Sequence, residues 1–402
     1  MRGMMAVGGG LVLFGAFLPW VEGPFRGDLS FGWFGGWFGW MALLTGGIAG
    51  IAWFLRSNRL LAVCGMAGVG LCALALFYLA FRDPSFGSLV DENTQYTGIT
   101  RFSRRYLPAN RGIEPSFKAN LFTETLFDRL TTAVYFMSRG WWFCLVGGGL
   151  LLVGAMKGDG KGILRWTAVG VSAALLGPSL MLLSGLAAEI QQARGDRQMA
   201  SGRYVEAIQY YESARRWDPQ WTGSEGFYAR MGEASIRLGF SSDPNGRFYQ
   251  GRRYEKEGRH DAALSEYFLA MKEVSSPLTG LIQKRIASIY VALGQASYRK
   301  RNVGEAVRHW ERALSFDPTQ IQVAYFLNRA YFDQGRYEQG IAMGRFLLSQ
   351  SKNLSLNANV QANIGDGYWK LNDFARARVA YEASRSLDSQ GNFRIFKSLG
   401  GT

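Results

Sequence analysis

The sequence predicts an all-α protein in two parts: a multi-span helical membrane domain over 1–188, then an α-solenoid over 189–402. Three observations predict it. Long charge-free apolar runs, with most of the tryptophan, fill the first half. In the second half, small and aromatic residues recur at a fixed period among charged ones. At the join, Trp166 to Ala188 carries no charge and meets the roughly 20 apolar residues that a bilayer crossing needs. Glu189 then opens EIQQARGDRQMASGRY, which reaches YVEAIQYYESARRWDP with no proline or Gly/Ser linker between. The join therefore reads as one continuous helix.

Five spans are expected. Met4–Val21 lies between Arg2 and Glu22, and its end, FLPWV, lacks a small-residue cleavage site, so it reads as an uncleaved span. Phe31–Phe54 and Leu60–Phe81 are the second and third. Gly140–Met156 is short, and Val134, Tyr135, Phe136 and Met137 extend it if Arg139 snorkels. Trp166–Ala188 is the fifth, kinked at Pro178. Arg2, the Arg56/Arg59 loop and the Lys157/Lys161/Arg165 loop fall on one side, which the positive-inside rule makes cytoplasmic. The segment 82–138 and the whole repeat half then lie outside, in the periplasm of a bacterial inner-membrane protein.

Gly32/Gly36, Gly35/Gly39, Gly46/Gly50 and Gly147-Gly148-Gly149 let helices approach closely in lipid, within this chain or against another membrane protein. Trp20, Trp33, Trp37, Trp40, Trp141 and Trp142 read as anchors at the lipid–water interface. The span cores hold no Asp, Glu, Lys or His, which disfavours an ion-coupled transporter.

Within the outer segment, the part up to Pro115 shows turn residues and no clear period. Phe122, Leu126, Leu130 and Val134 then share one helical face, as in a helix lying at the membrane surface. The pairs Asp91-Glu92 and Arg104-Arg105 are more readily solvated charges than a catalytic site.

A net charge of +14 suits a basic membrane protein or a binder of anionic polymer, and no nucleic-acid motif accompanies it. Cys64, Cys72 and Cys144 all fall in apolar spans, and His260 and His309 are the only histidines. Neither a disulfide framework nor a metal site is expected. Phosphate loops, nucleophile motifs and paired catalytic carboxylates are not evident, so no enzyme, cofactor or catalytic residue is expected.

The repeat appears as Gly202, Tyr204, Ala207, Tyr211, Ala214 and Pro219, then Gly251, Tyr254, Gly258, Ala263, Tyr267 and Ala270. Tyr290, Leu293, Gly294, Ala306, Trp310, Ala313 and Pro318 follow. Leu327, Tyr331, Gly335 and Tyr337 continue it, with Gly340 and Gly344 replacing the usual Ala and aromatic residue. Ile364, Gly365, Tyr368, Phe374, Ala377 and Tyr381 complete it. From Ala188 to Gln390 this pattern resembles the tetratricopeptide (TPR) family, whose helix pairs repeat about every 34 residues. The resemblance implies about five to six helix pairs, with Asn392–Leu399 as a C-terminal cap. Two joints look irregular: FYARMGEASIRLGF reads as a lone helix, and LTGLIQKRI as a lengthened connection.

By the family register, a partner-binding groove would draw on Asn245, Phe248, Arg252, Gln295, Tyr298, Arg299, Gln322, Tyr325, Arg329, Asp333, Asn363, Asp366, Trp369 and Lys370. Val291 and Gln295 replace the carboxylate clamp of chaperone-binding TPRs, so a chaperone C-terminus is not implied. The mixed aromatic and charged character suits an extended peptide or a helix. The expected function is a membrane-anchored scaffold for an envelope complex, such as a secretion, pilus, glycan-export or cytochrome-maturation system. The alternatives are a glycan-modifying membrane enzyme or its accessory subunit, and a binder of anionic envelope polymer.

Overall fold

The computed structural model describes residues 2–18, 20–23, 25, 27–29, 37–81, 85–106, 126–156, 183–218, 225–273 and 278–387. The start of the second expected span, Trp33, Gly32, Gly35 and Gly36, the loop with Lys157, Lys161 and Arg165, most of the fifth span, Phe122, Pro219 and the C-terminal cap lie outside these residues. Two compact units emerge: Met1–Val90 with Asn120–Ile190 and Arg216–Gln220, and Asp91–Ala119 with Gln191–Arg215 and Trp221–Thr402.

The first unit contains α1 (Arg2–Gly15), a short antiparallel hairpin β1 (Val21–Gly23) and β2 (Gly27–Leu29), α2 (Trp37–Phe54), α3 (Asn58–Phe81), α5 (Leu126–Phe136) and α6 (Arg139–Met156). Glycine governs its packing. A Cβ at Gly147 would lie 2.7 Å from the Gly8 carbonyl oxygen on α1. One at Gly148 would lie 3.0 Å from the Gly65 oxygen on α3. Gly46 similarly seats α2 against the Leu13 backbone, whereas Gly47, Gly50 and Gly149 face open space. The glycine stripes thus serve contacts inside the unit first.

Several expectations for this half are corrected. α1 has 14 residues instead of the expected run to Val21, because the chain turns after Gly15 and enters β1. At about 1.5 Å per residue it falls short of a ~30 Å core. α5 does not extend α6: Met137 bridges Val21, and the Ser138 amide donates to the Trp20 carbonyl at 2.8 Å. Trp20 and Trp141 are buried struts, with their indole N–H groups donating to Gly15 O (3.0 Å) and Cys72 O (2.8 Å). Trp40 and Trp142 are exposed. Among the described residues, Asn58–Ala80 is the one helical stretch long and apolar enough to cross a membrane; Gly3–Gly15, Trp40–Phe54 and Arg139–Ala155 are shorter apolar helices.

The segment read as lacking a period contains α4 (Ser85–Tyr106), a 22-residue helix whose residues from Asp91 onward belong to the second unit. A helix over 183–200 (α7) runs unbroken past Glu189. There follow α8 (Tyr204–Trp217), α9 (Glu225–Arg237), α10 (Pro244–Lys256), α11 (His260–Met271), α12 (Leu278–Arg299), α13 (Val303–Phe316), α14 (Ile321–Asp333), α15 (Tyr337–Gln350), α16 (Leu354–Lys370) and α17 (Phe374–Leu387).

Pairs α7/α8, α10/α11, α12/α13, α14/α15 and α16/α17 share one register. Gly195, Gly251, Gly294 and Gly365 each sit under an aromatic ring sixteen positions later: Tyr211, Tyr267, Trp310 and Tyr381. A Cβ at any of them would lie 2.3–2.5 Å from that ring, so the pair can close only over glycine. In the fourth pair the roles exchange, with Asn328 at the glycine position and Gly344 at the aromatic one. There Asn328 Nδ2 donates to Gly340 O (2.8 Å), and Ile364 of α16 fills the space beside Gly344.

Seven residues after each register position the chain turns through the left-handed region, at Gly202, Gly258, Arg301, Gly335 and Asn372 (φ +74°, +73°, +62°, +74° and +60°). This conformation ends each first helix. Second helices receive side-chain caps where the sequence supplies them: Asn302 accepts from the Glu305 amide and Asp373 from that of Arg376.

Both irregular joints are corrected. α9 is not alone; it pairs with α10, and a Cβ at Gly232 would lie 2.0 Å from the Asn245 carbonyl oxygen. Gly239, seven positions on, again has positive φ (+88°). Helix α10 thus closes one hairpin and opens the next. LTGLIQKRI forms the first turns of the 22-residue α12 and is not a connection.

Candidate functional site

Within the second unit, the C-terminal two-thirds of α4 lies in a groove made by α12 and α14, with Trp310 of α13 at its floor. The buried positions of α4 from Asp91 onward step by three or four residues: Glu92 with Asn93, Gln95 with Tyr96, Ile99 with Thr100, and Phe102 with Ser103. Many are polar or small, so counting apolar residues misses the face. Arg101, Arg104 and Arg105 are exposed, and the last two sit in the final turn, where cations favour the helix dipole.

Phe102 anchors the helix. Its ring centroid lies 4.3 Å from Phe326, 5.4 Å from Tyr298 and 6.3 Å from both Trp310 and Tyr325. The last two contacts are edge-on, the geometry that aromatic quadrupoles favour. One turn later Tyr106 meets Tyr298 edge-on at 5.0 Å. Toward the start of α4, Gln95 Oε1 accepts from the Gln322 amide (3.4 Å), and Asp91 lies 3.4 Å from Lys284 Nζ. Between them Gly98 faces the Gln322 side chain so closely that a Cβ there would lie 2.2 Å from Nε2.

The groove wall is braced from behind. The Tyr298 hydroxyl donates to Asp333, which also pairs with Arg329 (3.0 Å). Burial, then this hydrogen bond, holds the Tyr298 phenol above its usual pKa range. Tyr325 is fully buried, and its hydroxyl donates to Asn359 (2.9 Å).

Of the residues expected in the groove, Tyr298, Gln322 and Tyr325 touch α4, while Arg329 and Asp333 support Tyr298. Phe248 and Asn363 are interior: Phe248 packs between Tyr228 and Tyr267, and Asn363 Nδ2 donates to Asn328 Oδ1 (3.0 Å). Asp366 accepts from Tyr381 (2.7 Å). Asn245 occupies the capped first turn of α10, its amide donating to Asp243. Arg252 joins Glu225 in a cluster where Arg285 also pairs with Glu225 and with Glu255 (3.2 Å). Gln295 is half-buried; Arg299, Trp369 and Lys370 are exposed, and Trp369 stands edge-on to Phe374.

Phe326, Lys284 and the whole of α4 were missed as parts of the site, as was Trp310 as its floor. The available signal was the spacing of Tyr96, Ile99, Phe102 and Tyr106. The reading of both pairs as solvated charges holds for Arg104 and Arg105, which are exposed, and for half-exposed Asp91, which pairs with Lys284, but not for Glu92, which is buried.

No family model and no curated protein matches the chain. Among solved structures, it is similar to MamA at 16% identity, over 48% of this chain and 94% of that one, with a TM-score of 0.25. A further MamA structure, from AMB-1, is 16% identical over 54% and 99%, with a TM-score of 0.26. YrrB, described as a TPR protein with an unusual peptide-binding site, is 11% identical over 52% and 90%, with a TM-score of 0.26.

Proposed function

We propose that this chain is a membrane-anchored scaffold whose TPR-like repeats hold a helical segment of a protein partner, at the outer face of a bacterial cytoplasmic membrane. The observation that carries the proposal is the groove of α12 and α14, which is shaped to accept a helix and contains one. Helix-in-groove recognition needs an apolar anchor with polar contacts around it, and the Phe102 site has both.

Anchoring draws support from the surface of the first unit. Trp40, Leu44, Ile48 and Ile51 form one exposed stripe on α2, with Leu44 62% and Ile51 60% exposed. Lipid accommodates such a stripe, whereas water disfavours it. The multi-span reading and the periplasmic side of the repeats rest on the charge pattern of the loops. The glycines facing open space, Gly47, Gly50 and Gly149, suit contact with another membrane protein. Assembly or stabilisation of an envelope complex is the role that fits these features together.

Crosslinking in intact cells tests the scaffold. A defined protein should be captured with the native chain and lost when Tyr298, Gln322 and Phe326 are changed together to alanine. Undiminished capture by that variant would refute groove binding. Reporter fusions after Lys161 and Gly401 test the topology, which requires opposite sides.

A further inference from the structure

We infer that the end of α4 and the turn from α12 to α13 form a docking site for a short acidic segment of the partner protein. One row of the site is Arg101, Arg104 and Arg105; the other is Arg299, Lys300 and Arg301. The inference rests on the scaffold reading above for a protein partner, and adds the chemistry of one segment of it.

The two rows meet because α4 runs parallel to α12. Asp91 pairs with Lys284 toward the start of both helices, and Tyr106 meets Tyr298 at 5.0 Å at the end of both. The Arg105 guanidinium lies 5.7 Å from the centre of the Tyr106 ring, which brings the first row to that junction. All six cations are exposed, and among the described residues none has a carboxylate partner. Two carboxylates lie at the adjoining helix ends, and both are engaged. Asp333 of α14 accepts from Tyr298 and pairs with Arg329, while Glu305 of α13 accepts from Asn302 and faces His309 at 3.8 Å.

The repeat register shows that this concentration belongs to one place. Positions 299–301 correspond to Ala200-Ser201-Gly202, Lys256-Glu257-Gly258, Asp333-Gln334-Gly335 and Lys370-Leu371-Asn372. Of these five turns, only the one beside α4 is a run of cations. Helix dipoles attract cations in a last turn, which accounts for Arg104, Arg105 and Arg299. They do not account for the other positions. Arg101 lies a turn earlier and repels Arg104 and Arg105, three and four residues on. Arg301 lies beyond α12 at φ +62°, where three other turns hold glycine. Both positions cost local stability and keep a cation.

The surroundings select the kind of anion. Guanidinium forks match carboxylates, and clustered cations draw an anionic partner toward them. None of the exposed large apolar side chains among the described residues lies on α4, α12, α13 or α14, so the site lacks what an interfacial lipid contact needs. The near-neutral turns at Lys256–Gly258 and Asp333–Gly335 bound the cluster, so it is not a track for a long polyanion. Packed helix axes lie about 8–10 Å apart. About four extended residues, at ~3.4 Å each, therefore reach from one row to the other.

The test uses the full chain in detergent micelles at low salt, with a fluorescent peptide of alternating Asp and Glu as probe. Arg101→Gln/Arg104→Gln/Arg105→Gln and Arg299→Gln/Lys300→Gln/Arg301→Gln should each weaken binding at least about tenfold. Lys272→Gln/Lys352→Gln/Lys370→Gln removes the same charge from exposed positions elsewhere and should leave binding unchanged within about twofold. Equal loss in all three variants, or no loss in either row variant, overturns the inference. With the native chain, high salt should release the peptide, and a matching Asn/Gln peptide should not bind; binding that survives both changes overturns it without any variant. Polyphosphate and phosphatidylglycerol vesicles are the rival probes. If either binds through both rows and the acidic peptide does not, the acidic segment is the wrong ligand. In cells, partner capture lost in the triple groove variant but unchanged in both row variants sinks the inference and leaves the scaffold. Capture unaffected by the groove substitution removes the scaffold itself.

Discussion

Phe102 and Phe326 face each other with ring centroids 4.3 Å apart and 31° between their planes, joining residues more than two hundred positions apart. Replacing Phe102 by alanine should cost the docking of α4 about 3 kcal/mol, in the range for a buried phenylalanine. Hydrogen exchange should rise across residues 91–106 and stay unchanged in α16 and α17. A uniform rise over all the repeats would instead make α4 part of the global fold.

Arg301 and Asn372 hold the left-handed conformation that glycine holds at Gly202, Gly258 and Gly335. A side chain there costs roughly 1 kcal/mol. Arg301→Gly should therefore stabilise the repeats by about 1 kcal/mol, and Gly335→Ala should destabilise them by a similar amount. Thermal unfolding of the full chain, followed by the loss of helix signal, checks both signs.

Gly365 lies under the Tyr381 ring, where a Cβ would come within 2.5 Å. Gly365→Ala should cost about 1–3 kcal/mol through overpacking, despite alanine's better helix propensity. Tyr381→Phe keeps the ring and loses only the bond to Asp366, so about 1 kcal/mol is expected. The order of the two unfolding midpoints is the measurement.

Tyr211, Tyr267 and Tyr331 each donate a hydroxyl to a carboxylate, of Asp196, Glu255 and Glu311 respectively. Burial foremost, with those carboxylates, raises each phenol above its usual pKa of about 10. Below that pH both states keep the proton, and the contribution is complete. Above it the unfolded chain loses protons that the folded chain retains, so stability falls as pH rises. Alkaline titration should show these tyrosines ionising together with unfolding; independent ionisation in the folded chain would contradict the assignment.

The repeats were legible because their physics is local and periodic: glycine under a ring, a left-handed turn seven residues on, an aromatic residue after nine more. Tyr298, Gln322 and Tyr325 followed from the same register. Phe248 followed from it too, three residues before Gly251 as Tyr325 is before Asn328, but it lies inside because α9 packs on α10 and Tyr228 meets its ring. Helix α4 was illegible for a different reason. Its buried face is built from Asn93, Thr100 and Ser103 as much as from Phe102, so its amphipathicity exists only relative to the groove. The first half was read by apolar length, which says little about where helices stop; the bridge between Val21 and Met137 falls at the end of the first expected span and in the extension expected for the fourth.

Because α10 closes the hairpin begun by α9 and opens the one completed by α11, no cut isolates a single repeat between Glu225 and Met271. A solenoid of independent pairs can gain or lose one pair by duplication or deletion, each step leaving sound neighbours. Here three helices form one indivisible block. Adding or deleting a helix should therefore disrupt folding within this block and do so less on either side of it, which makes α9 to α11 the fixed point of the array.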